Sequence, residues 1–236
     1  MKSIRIALPL ITFLPSIAYL PVLIDVLKGF HFGGLSIIFS FLYSSIVPSF
    51  NLIVLKSAWN GLQITVAIAL ISWIISMFTG LFLGIITSEI FWEGYSRCHL
   101  IGKTLKRVLA IPRSIHEVIW GILFIQILGL NIWVAIFAIV IPYSALTARV
   151  VSDQLDSIDI QPLVALRSTG AKAITSLTSF LCPQLIPILS TYGGYRLECS
   201  IRSATLLGMF GLGGIGTDLY LTLKSLEFRE MWSCLW

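Results

Sequence analysis

Three charged side chains lie close together in a stretch of the chain that is otherwise as apolar as a membrane span. Arg196, Glu198 and Arg202 fall between Leu181 and Gly216, in a segment rich in apolar residues and glycine. Charged groups at membrane depth are costly, so they normally face a water-filled path or a partner group rather than lipid. Guanidinium groups bind the oxygens of phosphate or phosphonate bidentately. Anion binding is therefore one chemistry that these residues can perform.

Helical spacing divides these three charges between two faces. Glu198 and Arg202 are four residues apart, which places them on the same side of a helix as a potential ion pair. Arg196 is two residues from Glu198, about 200° round the helix axis, and lies on another face. Two interpretations stay open: a structural charge pair packed against neighbouring helices, or a cationic surface that lowers the barrier for an anion.

The composition identifies the chain as an integral membrane protein. Of its 236 residues, 57% are hydrophobic and 11% are charged, whereas soluble domains carry about 25% charged residues. The net charge of +5 is scattered between apolar segments, which argues against a nucleic-acid-binding face. The four cysteines and three histidines are too dispersed for a metal site. No cofactor is predicted.

Five apolar segments are long enough to cross a bilayer as helices. We expect them at about 6–24, 57–88, 112–130, 132–152 and 184–212, with an outer turn at Gly129-Leu130-Asn131 between the third and fourth. The first segment resembles a signal peptide, but its length and its three prolines favour a retained span. The basic segment from Arg97 to Arg113 is expected in the cytoplasm. The predicted domains are an N-terminal span with an outer loop at 1–51 and a transmembrane domain at 52–236.

A polar block between the last two spans predicts a structured loop at the cytoplasmic face. Asp159 precedes Pro162, a residue suited to the first turn of a helix, and Gly170 provides a left-handed stop. A second short helix, from Lys172 to Leu181, is expected to end before Pro183. Two short helices that are half apolar fit a groove on another protein, and they fit the surface of the lipid bilayer equally well.

The same block resembles the coupling loop of importer-type ABC permeases. That pattern is an EAA triplet followed by a glycine and then by a leucine–proline pair or its like. Here the corresponding residues are Val164-Ala165-Leu166, Gly170-Ala171 and Leu181-Cys182-Pro183. Downstream, the chain is similar to the phosphonate-importer permeases in particular, at Tyr195–Glu198, Ile201–Thr205, Leu207-Gly208 and Gly211–Gly216. The resemblance is close over about 150–220 and looser over about 52–150.

The resemblance implies a particular fold and a set of partners. The fold is an all-α, polytopic transmembrane bundle of the importer-type ABC permease kind, with five spans visible. The family normally has another span after the glycine-rich stretch, so a final span is expected to be missing. The implied partners are a separate ABC ATPase, a second permease copy, a periplasmic or surface solute-binding protein and membrane lipid, without nucleic acid. The chain is then a multi-pass inner (plasma) membrane protein and is not an enzyme.

The resemblance also assigns residues to roles. The ATPase-coupling loop at 153–183 would use Asp159, Pro162, Ala165, Arg167, Gly170, Ala171 and Pro183. The translocation path would include Arg196, Glu198 and Arg202. Close helix approach and a bend near the outer gate would depend on Gly208, Gly211, Gly213, Gly214 and Gly216. Val164 stands where the triplet usually has glutamate, so a polar contact to the ATPase is lost or is replaced by Asp159 or Arg167.

Together these features predict ATP-driven transport of phosphonate, phosphite or phosphate. A methionine-type permease is the nearer alternative, and the stretches Tyr195–Glu198 and Ile201–Thr205 argue against it. An ATP-independent channel is a second alternative. A membrane enzyme acting on lipids would need several convergent acid, histidine or serine groups at one interface, and the sequence offers none. The run Gly211–Gly216 follows a membrane helix rather than a strand, so it is not a dinucleotide-binding fingerprint.

Overall fold

The computed structural model describes residues 33–92, 99–159 and 173–235, together with residues 21, 24, 25, 29, 161, 165 and 168–170. Within these residues the regular structure is helical and no strand occurs, as the all-α fold class predicts. Contacts divide the chain into two units, Met1–Pro48 and Ser49–Trp236. The span expected at 6–24 lies almost wholly outside the described residues.

The first unit contributes helix α1 (Gly33–Ile46). The second unit contains all the other described helices. They are α2 (Leu52–Thr87), a 3₁₀ turn (Ile90–Trp92), α3 (His99–Val108), α4 (Ala110–Ser114), α5 (Glu117–Leu128), α6 (Ile132–Asp156), α7 (Ala173–Leu207), a π-helical turn (Gly208–Leu212), α8 (Ile215–Lys224) and α9 (Phe228–Leu235).

Helix α2 is 36 residues long, or about 54 Å, and exceeds the bilayer core of about 30 Å. The side chain of Asn51 caps its first turn by accepting a hydrogen bond from the Ile53 amide at 3.2 Å. One side of the helix carries small residues, and its glycines Gly80 and Gly84 pack against α6. The predicted span at 57–88 is therefore present, but the helix begins earlier, at Leu52, and includes Lys56.

Helix α6 forms the centre of the second unit. Asn131 starts it by accepting a hydrogen bond from the Trp133 amide at 3.2 Å. Gly129, at φ 73°, ends α5 in a conformation that favours glycine. The expected turn at 129–131 is thus confirmed. The core is built from α6 residues together with Ile68 of α2 and Leu207 of α7; its α6 members are Val134, Ala135, Ile136, Ala138, Ile139 and Tyr143.

The expectation of one continuous span at 112–130 is wrong. The helical path bends by 82° between Leu100–Ser114 and Glu117–Leu128. The break occurs because His116 is extended (φ −66°, ψ 144°) and caps α5, its Nδ1 accepting a hydrogen bond from the Val118 amide at 3.4 Å. Helix α5 has 12 residues, so its length of about 18 Å covers only part of the bilayer core.

The expected end of a short helix before Pro183 is also wrong. Helix α7 is continuous for 35 residues with Pro183 and Pro187 inside it. Each proline removes one backbone hydrogen bond, but the neighbouring turns retain theirs, and long membrane helices tolerate such losses. By length and composition α2 and α6 qualify as spans, and two bent helix pairs raise the number to as many as four within the residues that the structure describes.

Candidate functional site

Arg196 is a buried cation surrounded by tyrosine rings. It lies on α7 with 9% of its surface exposed. Its Nε donates a hydrogen bond to the Tyr192 hydroxyl at 2.7 Å. The guanidinium carbon lies 4.7 Å from the ring centroid of Tyr143, 5.1 Å from that of Tyr192 and 5.9 Å from that of Tyr195. Aromatic faces attract a cation, so these rings partly compensate the burial of the charge.

A chain of hydroxyl groups links Tyr143 to a carboxylate on another helix. Ser203 Oγ donates to Glu117 Oε1 at 2.7 Å, and the Tyr143 hydroxyl lies 2.9 Å from Ser203 Oγ. A serine hydroxyl carries a single hydrogen. Because Ser203 gives that hydrogen to Glu117, the hydrogen between the two hydroxyls must come from Tyr143. The Tyr143 hydroxyl is therefore used by Ser203, and Arg196 lies over the Tyr143 ring.

This network lies deep along α6 rather than at its end. Tyr143 is 13 residues before Asp156, the last residue of the helix, which corresponds to about 20 Å. Glu117 is the first residue of α5. The break between α4 and α5 therefore places an acidic side chain at the same depth as Tyr143. Ionisable groups at such depth mark functional sites by default. Sequence reasoning missed Glu117, although it is the acidic residue that immediately precedes the long uncharged run starting at Val118.

The structure pairs Glu198 with Arg202 and keeps both apart from Arg196. Arg202 Nη2 donates a hydrogen bond to Glu198 Oε1 within one turn of α7. The Glu198 side chain is 62% exposed and the Arg202 side chain is 71% exposed. Exposed Thr191 and Tyr195 lie on the same side of the helix. Helix α7 thus has one polar face that is open in this chain and another that packs Arg196 against α6.

The glycine-rich segment produces a sharp bend after α7. Helix axes of Leu185–Leu212 and Ile215–Lys224 differ by 59°. Thr65 of α2 caps the new helix, its Oγ1 accepting a hydrogen bond from the Ile215 amide at 2.9 Å. Gly216 allows the closest approach, because a Cβ there would lie 1.9 Å from the Thr205 carbonyl oxygen. The predicted glycines all lie in this bend: Gly208 and Gly216 at close contacts, and Gly211, Gly213 and Gly214 at positive φ.

The predicted coupling residues are only partly described. Asp159 Oδ1 accepts a hydrogen bond from the Gln161 amide at 3.0 Å, and the Ala165 carbonyl accepts one from Ser168 Oγ at 2.7 Å. Gly170 has φ 86° and open space around it, which fits the predicted left-handed stop. Pro183 is exposed within α7. Pro162, Arg167 and Ala171 lie outside the described residues, as does Val164.

An anchor holds the start of this loop, and sequence reasoning missed it. Asp156 Oδ1 accepts hydrogen bonds from Ser88 Oγ at 2.7 Å and from the Glu89 amide at 2.8 Å. Asp156 Oδ2 pairs with Lys106 Nζ at 2.6 Å. The loop therefore leaves α6 at a residue that is bonded to the end of α2 and to α3. The available signal was a charged residue at the boundary between an apolar span and a polar block.

The sequence of the chain matches a known family of membrane proteins and several of its members. The family described as binding-protein-dependent transport system inner membrane component matches residues 80–236. Over 93 residues the chain is 32% identical to the putative cryptic phosphonate transport system permease protein PhnE2 of Escherichia coli K12, a match covering 39% of this chain and 76% of that protein.

Two further relatives match over shorter fractions of their length. The phosphite transport system permease protein PtxC of Stutzerimonas stutzeri is 29% identical over 119 residues, which cover 50% of this chain and 43% of that protein. The phosphate-import permease protein PhnE of Mycolicibacterium smegmatis is 30% identical over 120 residues, which cover 51% of this chain and 23% of that protein. The chain thus spans less than half the length of these two relatives.

A solved structure has a similar fold. An inward-facing form of the MetNI methionine ABC transporter superposes with a TM-score of 0.64 at 21% sequence identity, covering 71% of this chain and 80% of the solved chain. At this identity the likeness concerns the fold. It confirms the helical membrane-type bundle that the sequence predicts.

Proposed function

The chain belongs to the family of binding-protein-dependent transport system inner membrane components, and we propose that it is the permease subunit of an ATP-driven importer for phosphonate or a similar phosphorus oxyanion. The family consists of multi-pass inner-membrane subunits of ABC importers, in which the ATPase is a separate chain. The chain is therefore a membrane subunit and not an enzyme in its own right.

The substrate class is supported by one observation above all: relatives named for phosphonate, phosphite and phosphate match a chain that carries arginines within its membrane segment. These three anions share tetrahedral phosphorus and charged oxygens. Arginine recognises such oxygens through paired hydrogen bonds. Arg196 and Arg202 both lie on α7, so this helix supplies the complementary charge.

The open polar face of α7 supports a path between two copies of the chain. Glu198 and Arg202 are more than half exposed in a helix that must cross lipid. A lone charged face in contact with lipid is costly, so the face requires water or protein. We infer that a second copy covers its edges and leaves an aqueous path along Glu198 and Arg202, with Arg196 on the adjoining, buried face of the helix. The glycine bend from Gly208 to Gly216 would then form the outer gate.

ATP hydrolysis would act on the permease through the coupling loop at 153–183. The ATPase would dock on the segment that contains Asp159, Ala165 and Gly170, together with Pro162, Arg167, Ala171 and Pro183. Because Asp156 bonds to Ser88 and Lys106, displacement of this loop would pull on α2 and α3. A solute-binding protein would deliver the anion at the opposite face of the membrane.

Reconstitution of the full importer tests this function. The chain, its ATPase and its solute-binding protein are placed in proteoliposomes, and uptake of labelled methylphosphonate, phosphite and phosphate is measured with and without ATP. We expect uptake of at least one of these anions only with ATP and an ATPase able to hydrolyse it. An ATPase variant that binds but does not hydrolyse ATP is the matched control. Equal uptake without ATP would indicate a channel, and uptake of methionine alone would overturn the substrate class.

A further inference from the structure

Arg196 differs from the ion-paired cations among the described residues in how its charge is balanced. Lys106 pairs with Asp156, Arg149 with Asp153, and Arg202 with Glu198. Among the residues that the structure describes, no carboxylate pairs with Arg196, and its only hydrogen-bond partner there is the Tyr192 hydroxyl. A buried charge without a counter-ion is costly. Ring faces offset part of that cost, and an anion would offset more.

Arg196 has hydrogen-bond donors that no residue in the described part of the chain uses. Its Nε–H is used by Tyr192, which leaves the N–H groups of both Nη atoms without a partner among the described residues. The Tyr192 oxygen accepts from Arg196, so its own hydrogen is still available for donation. The Tyr143 hydroxyl is committed to Ser203. A cation with unused donors on one side is complementary to an oxyanion.

The position of this cluster gives it access to the open face of α7. Tyr195, whose ring lies 5.9 Å from the guanidinium, is itself exposed. By helical spacing Tyr195 also lies on the side of α7 that carries Glu198 and Arg202, so it borders both the Arg196 cluster and the open face. On the other side, the Glu117 carboxylate lies behind Tyr143 and Ser203. Its negative charge limits the affinity for an anion, as a site that must release its substrate requires.

We propose that Arg196 and the Tyr192 hydroxyl, packed on the ring of Tyr143, form an oxyanion-binding site in the membrane interior, a site that rests on the proposed function and specifies where the substrate binds. Phosphate, phosphite and phosphonate oxygens would accept hydrogen bonds from the Arg196 Nη groups and from Tyr192. Tyr195 lies between the site and the open face of α7, and Glu117 holds Tyr143 in place through Ser203.

Binding of labelled inorganic phosphate to the purified permease–ATPase complex, without the solute-binding protein, tests the site. We expect saturable binding in the millimolar range to the wild-type complex. Arg196→Gln should weaken it by about tenfold or more, and Tyr192→Phe by about threefold, because each removes donors to the anion. Arg149→Gln, which alters an exposed cation paired with Asp153, is the matched control and should bind as wild type does. Each variant's melting temperature is measured alongside.

Two results would overturn the site: no phosphate binding by the wild-type complex, or unchanged affinity in Arg196→Gln. If Arg196→Gln does not assemble with the ATPase, Tyr192→Phe decides, and wild-type affinity in that variant would equally overturn the site. ATP-driven uptake with unchanged phosphate binding in Arg196→Gln would refute this site alone. Phosphate binding that depends on Arg196, without any ATP-driven uptake, would support the site and refute the proposed function.

Discussion

Asp156 and Lys106 form an ion pair of 2.6 Å that joins the last residue of α6 to α3. Both side chains are largely buried, with exposed fractions of 22% and 18%. The same carboxylate accepts hydrogen bonds from Ser88 and from the Glu89 amide at the end of α2. One residue therefore connects three helical segments at the point where the predicted coupling loop begins.

Removing this connection should weaken both stability and coupling. Asp156→Asn replaces a charged acceptor in a partly buried site, and we expect a loss of about 1–3 kcal/mol. The melting temperature of the purified complex should fall, and ATP-driven uptake should fall more than ATP hydrolysis does. Asp153→Asn is the control, since Asp153 is about half exposed and bonds mainly to Arg149. Uptake and hydrolysis that stay in the wild-type ratio in Asp156→Asn would contradict this role.

Gly170→Val should release the ATPase. Gly170 has φ 86° and open space around it, so valine there is limited by backbone strain and not by a clash. A backbone strain of about 1–2 kcal/mol corresponds to an affinity for the ATPase that is about 5- to 30-fold lower. The measurement is the amount of ATPase that co-purifies with the chain. Gly129→Val is a matched control, because Gly129 also has positive φ and open space but lies in the α5–α6 turn. Full ATPase stoichiometry in Gly170→Val would argue against docking at this loop.

Periodicity and local signals predicted a large part of this fold. The turn at 129–131 follows from Gly129 and Asn131, which suit a left-handed helix end and a helix start. The Glu198–Arg202 pair follows from their helical spacing. Long-range contacts are not encoded in such signals. The break at His116, which brings Glu117 to Ser203, depends on packing across 86 positions of the chain, and apolar composition alone predicted a continuous span there.

The helix end expected at Pro183 is a second local prediction that the structure does not follow. Pro183 predicted a helix end, because proline removes a hydrogen bond and disfavours the helix interior, and Pro187 follows four residues later. Helix α7 continues through both. The anchor at Asp156 was missed because its partners come from two other segments, at Ser88 and Lys106, which only the tertiary structure brings together.

The close packing of α2 on α6 makes Gly80 sensitive to substitution. A Cβ at Gly80 would lie 2.5 Å from Thr147 Cβ and 2.9 Å from the Ser144 carbonyl oxygen. Gly80→Ala must therefore push the two helices apart, at an expected cost of about 1–3 kcal/mol. The melting temperature of the purified chain reports this loss. Gly194→Ala, a helical glycine with nothing within 4 Å, should leave the melting temperature unchanged or raise it; equal values for the two variants would contradict the packing.

Exchange of the charges at 198 and 202 separates the two interpretations of that pair. The double variant Glu198→Arg with Arg202→Glu keeps an ion pair on α7 but moves the cation by four residues, or about 6 Å along the helix axis. If Arg202 lies on the path, ATP-driven uptake should fall by about tenfold while membrane insertion stays normal. The single variant Arg202→Gln should lower uptake as well. Wild-type uptake in the exchanged variant would assign the pair a structural role only.

The side of the membrane on which the loop lies tests the central claim most directly. Ser168 is exposed in the loop, and Leu130 is 66% exposed in the α5–α6 turn. The background is a variant in which the four native cysteines, Cys98, Cys182, Cys199 and Cys234, are changed to alanine. Ser168 or Leu130 is replaced by cysteine in this background. Spheroplasts or inside-out vesicles that contain each variant are then treated with a membrane-impermeant maleimide. We predict that Leu130→Cys is labelled in spheroplasts, and that Ser168→Cys is labelled only in inside-out vesicles and is protected there by bound ATPase. Labelling of Ser168→Cys from outside spheroplasts would contradict the account of an ATPase-driven permease.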